Sequence, residues 1–95
     1  MKTDFNFTNT NRQTDIRKEL EGRSIYEMTV WTRDHAQHLK WFCSYDEEKI
    51  DAIIQPLMSI SHHIRENYQD DLEAKEFFKN LCVLCVLQLE ITCRQ

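Results

Sequence analysis

The segment 46–68 constrains the fold of this chain more than any other. Its apolar side chains recur at i, i+3, i+4 and i+7, and the positions between them are mostly polar or charged. Ser44 or Asp46 is the predicted N-cap of this helix. Pro56 lies within the pattern without disturbing its phase, which predicts a kinked rather than a broken helix. The recurring apolar positions are Ile50, Ile53, Ile54, Leu57, Ile60, Ile64 and Tyr68.

A second helix is predicted over residues 71–92, antiparallel to the first. A short polar turn precedes it, and Asp70 or Asp71 provides the N-cap. A two-layer packing of these helices would bury one face of the second. The apolar residues of that face are Ala74, Phe77, Phe78, Leu81, Leu84 and Cys85.

From Leu81 onward this second helix is apolar around most of its circumference. Such a helix is either surrounded on several sides or carries a further contact surface. We therefore predict self-association through Val83, Val86 and Leu87, which would give a two-fold homodimer. In the alternative, another part of the chain covers these three residues.

The segment before the first helix fits two structures. A capping box of Ser24 and Glu27 would begin a helix over 25–43, but the apolar side chains there point in almost every direction on a helical wheel. Alternation with period two, in a segment rich in β-branched and aromatic residues, favours a β-hairpin with strands at about 25–32 and 38–45. We predict an α+β fold in which two helices cover one face of the hairpin. The alternative is an all-α three-helix bundle.

The N-terminal part is polar. Residues 1–13 are predicted to be a flexible arm or a short edge strand, followed by a short helix between Thr14 and Gly22. A length of 95 residues with one Gly and one Pro predicts a single domain, 1–95, without a long linker.

The outer face of the predicted hairpin is the candidate binding site. Aromatic rings flanked by cations suit base stacking with phosphate contact, and Trp and Arg equally anchor protein interfaces. In the alternative, the N-terminal segment folds over this face and makes Trp31 part of the core. The candidate residues are Trp31, Arg33, His38, Lys40 and Phe42.

The four cysteines carry no clear chemistry. Cys82 and Cys85 have the C-x-x-C spacing of a redox pair or half of a zinc site, but their apolar surroundings favour buried core thiols. Cys93 comes level with Cys43 if the helices fold back on each other, and the sequence leaves open whether the two approach.

Catalytic, metal and cofactor sites are not predicted. The four histidines fall at helix or loop ends too far apart to share an ion, and no phosphate-binding loop or nucleophile–base pair is present. The acidic runs lie at predicted helix N-termini, where carboxylates stabilise the helix dipole. We therefore predict that the protein is not an enzyme.

Charge and localisation narrow the function further. Residues 1–45 carry seven Lys/Arg against six Asp/Glu, and residues 46–95 carry five against ten. That profile is not typical of a polyanion-binding protein. A polar N-terminus without an apolar leader leads us to expect the cytoplasm. We predict a small adaptor, regulator or inhibitor that acts through protein contacts, with a nucleic-acid-binding module as the alternative.

Overall fold

The last helix is the central element of the computed structural model. It contacts each of the other three helices, and the second helix also contacts the third. The structure describes the backbone of residues 2–43 and 47–94 and the side chains of residues 11–41 and 47–92. The helices are α1 (Lys2–Leu20), α2 (Ile25–Cys43), α3 (Glu47–Asn67) and α4 (Leu72–Arg94).

The predicted β-hairpin at 25–32 and 38–45 is wrong. Residues 25–43 form the single helix α2, and the described part of the chain contains no strand, so the α+β fold class is replaced by the all-α alternative. The capping box starts this helix: the N–H of Glu27 donates to Ser24 Oγ at 3.1 Å, and the N–H of Ser24 donates to the Glu27 carboxylate at 2.9 Å. The hydrogen bond that the Ser24 N–H donates to the carboxylate lowers the pKa of Glu27.

The buried face of α2 explains the error. Thr29 and Thr32 lie on that face, and each hydroxyl donates to a carbonyl four residues earlier, at 2.7 and 2.9 Å. A β-branched hydroxyl residue satisfied in this way can lie in a helical core. A helical wheel of apolar residues alone omits both threonines and therefore shows only part of the buried face. Its members are Ile25, Met28, Thr29, Thr32 and Ala36.

The two predicted antiparallel helices are confirmed, with ends shifted by one or two residues, but the predicted buried face of the second is only partly right. Phe78 and Cys85 are buried, whereas Phe77 and Leu84 are exposed, because the side of α4 that meets the other helices is rotated away from them. α3 continues through Pro56, and its buried residues belong to the predicted apolar face, with Ser61 added. Asp71, rather than Asp70, caps α4, since its carboxylate accepts the N–H of Ala74 at 3.0 Å. The predicted caps at the start of α3, Ser44 and Asp46, lie outside the described residues.

α1 is longer than predicted. Residues 2–13 form its first part rather than an arm or a strand, and no Gly or Pro interrupts the helix before Leu20. Gly22, at a φ of 74°, turns the chain into α2. Ile16 and Leu20 are buried, and α1 contacts α4. α1 is therefore a helix packed against the side of α4.

The core lies where α4 meets its neighbours. Phe78 is fully buried, and Cys82 and Cys85 come within 4.0 Å of the backbone carbonyls of Met28 in α2 and Ile53 in α3. None of the described helices is long and apolar enough to cross a membrane.

Candidate functional site

A shallow groove of about 300 Å³ runs along the outer side of α2, opposite its buried face. Tyr26 and Trp31 lie on its two flanks, because their five-residue separation places them about 140° apart around a helix. We call this depression the Tyr26–Trp31 groove. Its remaining lining residues are Arg23, Glu27, Val30, Arg33 and Asp34.

Tyr26 is held from the α3 side. Its ring is 58% exposed, and the guanidinium of Arg65 lies 5.4 Å from the ring centroid, a cation–π contact. Arg65 Nε is buried without a hydrogen-bond partner among the described residues. Both residues also line a larger open cavity, about 550 Å³, beside the turn between α3 and α4. Tyr26 therefore separates two depressions at this end of the fold.

Trp31 is held from the opposite side by a chain of contacts. Its ring stacks on His35 with centroids 5.5 Å apart and an interplanar angle of 7°. His35 Nε2 lies 3.1 Å from the carboxylate of Glu90 in α4, which also accepts two-pronged hydrogen bonds from Arg12 in α1 at 2.7–3.1 Å. Side chains from three helices thus fix one indole ring.

Glu90 is the charged centre of this chain of contacts. Burial by itself would raise the pKa of its carboxyl group, but the hydrogen bonds from His35 and Arg12 outweigh burial and lower the pKa to about 2. The hydrogen bond between Arg12 and Glu90 also raises the pKa of Arg12. Glu90 is therefore an anion at neutral pH, with its oxygens engaged by α1 and α2.

The structure brings only part of the predicted binding set together. Trp31 and Arg33 line the groove. His38 is exposed and packs edge-on against Trp41 at 5.9 Å, outside the groove, while Lys40 binds Asp51 of α3 at 2.8 Å. These positions diverge because a helix, unlike a strand, rotates neighbouring side chains by 100°. The side chain of Phe42 lies outside the described residues.

Two exposed aromatic residues were missed by the sequence analysis. Tyr26 and Trp41 of α2, which are 58% and 73% exposed, are not among the predicted binding residues. The signal that could have placed Tyr26 correctly was the capping box just before it, since a helix starting there turns Tyr26 away from Ile25 and Met28.

The predicted self-association residues are not on the surface. Val83, Val86 and Leu87 are 2%, 0% and 7% exposed, on the helix that each of the other three helices contacts. The self-association surface as predicted is therefore covered by the chain itself. A homodimer stays a prediction that these residues do not support.

The prediction that Cys82 and Cys85 are core thiols is confirmed. Both are buried, and burial raises the pKa of Cys82 to about 11 and that of Cys85 to about 12. Thiols with such values stay protonated near neutral pH and are poor nucleophiles. The side chains of Cys43 and Cys93 lie outside the described residues, so their proximity stays untested.

No constellation for catalysis emerges among the side chains that the structure describes. In those same ranges, no three His, Cys, Asp or Glu side chains converge in a way that could hold a metal ion. His62 contacts Glu66 at 3.6 Å on the exposed surface of α3, and Ser24 Oγ is occupied in capping α2. The Tyr26–Trp31 groove is therefore a candidate binding surface.

Comparisons with protein-family models, with curated proteins and with solved structures return no match for this chain.

Proposed function

We propose that this is a non-enzymatic interaction protein of the cytoplasm, an adaptor, regulator or inhibitor that binds another protein through the Tyr26–Trp31 groove. One observation carries the proposal: two aromatic rings, each held by a neighbouring side chain, flank a groove lined by charges of both signs. Large aromatic residues and Arg dominate the binding energy of protein interfaces. Rings already fixed in place lose little conformational entropy when a partner binds.

The charges around the groove favour a protein over a nucleic acid. Arg23 and Arg33 are balanced by Glu27 and Asp34 on the same lining. Carboxylates at these positions repel phosphates, whereas a protein segment can match both signs. Lys40, a phosphate contact in the nucleic-acid alternative, is engaged by Asp51. Within the lining of the Tyr26–Trp31 groove, the balanced charges favour a protein partner over the nucleic-acid-binding alternative.

A capture experiment with matched tyrosine variants tests this proposal. The tagged protein and its Tyr26→Ala variant are exposed to native lysate, with and without nuclease, and the retained partners are quantified by mass spectrometry. We expect Tyr26→Ala to lower retention of a specific protein partner at least tenfold, since the ring is exposed and its truncation leaves the fold intact. Retention should not depend on nuclease.

Tyr68→Ala is the control, because Tyr68 is also half exposed but lies away from the groove. Equal loss in both variants would contradict the proposed site. Loss of all partners after nuclease treatment, with steep salt dependence, would favour nucleic acid instead.

A further inference from the structure

The outward side of α4 differs from the rest of the surface. Between residues 77 and 92 the exposed positions are Phe77, Leu84 and Gln88, none of them charged. Leu81 and Ile91 lie partly buried beside them. We call these five residues the α4 stripe. In a chain with 29% charged residues, an uncharged exposed surface along four helical turns is unusual.

The spacing of the α4 stripe is that of a helix–helix seam. Its members follow one another at intervals of four, three, four and three residues, which keeps them in line along one side of a helix. α1, α2 and α3 contact α4 from its other sides. The stripe is thus a side of α4 against which no helix of the described chain packs.

We infer that the partner of the α4 stripe is the same stripe of a second copy of this chain. The chain carries a net charge of −4, and residues 46–95 alone carry −5, from five basic and ten acidic residues, so most surfaces of that half would bring like charges face to face in a pair of copies. The stripe instead provides an uncharged surface.

An antiparallel pairing fits the order of the side chains. When Leu81 faces Leu84 of the second copy, the two-fold axis repeats that apolar layer, and Phe77 then faces Gln88 at either end. The bulkiest side chain of the stripe thus meets the most flexible one, and both leucine layers lie at the centre.

The size of the contact predicts a weak dimer. α4 has 23 residues, but the stripe runs only from Phe77 to Ile91, about 21 Å of helix, which places the contact at the small end of the range that begins at roughly 1,200 Å² for stable complexes. We expect a dissociation constant on the order of 100 µM. Self-association should therefore depend on concentration.

Sedimentation velocity over about 10 µM to 1 mM protein tests the inference on the intact chain. We expect the weight-average sedimentation coefficient of the wild type to rise with concentration and that of Leu84→Glu to stay at the monomer value. Leu72→Glu is the matched control, because Leu72 is 78% exposed on the same helix but lies off the stripe. It should associate like the wild type, and circular dichroism should show both variants folded.

Mixing variants tests the orientation. Leu84→Glu and Leu81→Lys should each be monomeric, and their mixture should associate, because the antiparallel dimer then has one Glu–Lys layer and keeps one Leu–Leu layer. Rescue by a mixture of Leu84→Glu and Leu84→Lys would instead contradict the antiparallel pairing, since it indicates a parallel one.

Two outcomes overturn self-pairing itself. One is a wild type that remains monomeric at 1 mM. If Leu84→Glu then lowers the capture of another protein from lysate, the stripe has a different partner. The other is association that Leu84→Glu and Leu72→Glu weaken equally. Neither result tests the proposed binding at the Tyr26–Trp31 groove, which lies on a different helix.

Discussion

Phe77 and Phe78 are neighbours of the same residue type on α4, yet Phe78 is fully buried and Phe77 is 56% exposed. The inner side of α4 packs against three helices, whereas its outer side is the α4 stripe. The difference shows that the apolar character of α4 serves two purposes: one side stabilises the monomer, and the other is available for association. Substitutions on the two sides should therefore separate stability from assembly.

The largest expected effect is that of Phe78→Ala. Removing a fully buried ring at the meeting point of α4 with its neighbours should lower the free energy of unfolding by about 3–5 kcal/mol, since apolar burial is lost and a cavity remains. Urea denaturation followed by circular dichroism measures the change. A loss below about 1 kcal/mol would contradict the assignment of this side as the core.

Glu90→Gln should have the next largest effect. Because the folded-state pKa of Glu90, about 2, lies below its ordinary value of 4.5, its contribution to stability is full above about pH 5 and is lost as the pH falls through 4.5 towards 2. We expect the variant to lose roughly 2–3 kcal/mol at pH 7. The difference from wild type should shrink towards zero near pH 2.

Glu76→Gln provides the control for this prediction. Glu76 pairs with Arg17 and Lys79, but its side chain is 58% exposed, so its loss should cost less than about 1 kcal/mol. Denaturant midpoints measured from pH 2 to 7 would reveal both effects. A difference between Glu90→Gln and wild type that persists undiminished at pH 2 is incompatible with the assigned contacts.

Ser61→Ala should have a smaller effect. Its buried hydroxyl lies 2.6 Å from that of Thr29, joining α3 to α2 inside the core. Because Thr29 already donates to the carbonyl of Ile25, Ser61 must be the donor to Thr29, and removing it should cost about 1 kcal/mol. Ser59→Ala, an exposed serine on the same helix, should change thermal stability by less than half as much.

Phe77→Ala should have the smallest effect on stability, within about 0.5 kcal/mol, because the ring packs only partly against its own chain. Its effect should appear instead in sedimentation, as weaker association at high concentration. A destabilisation comparable to that of Phe78→Ala would remove the distinction between the two sides of α4.

The sequence allowed the two antiparallel helices to be predicted, since a long apolar period and a cap are local signals. It did not allow α2 to be recognised. Its buried face includes Thr29 and Thr32, whose polarity hides the helical period, and its exposed face includes Tyr26 and Trp41, whose apolar rings suggest burial. Side-chain polarity and actual burial disagree at these four positions.

The candidate site was predictable only in part. Trp31 and Arg33 were selected by residue type, and both line the groove. The contacts that hold the indole were not predictable from local patterns. Glu90 lies 78 residues from Arg12 and 55 residues from His35 in the sequence, yet it bonds to both. Such pairings depend on how the helices pack, which local patterns do not specify.

The contacts from Arg12 through Glu90 and His35 to Trp31 also imply a thermodynamic reciprocity. A partner that binds the indole in this orientation favours the state in which α1 lies against α4. By linkage, whatever holds α1 in place strengthens binding of that partner by the same factor. Hydrogen exchange in the backbone of α1 should therefore slow when the groove is occupied, although the two lie on different helices.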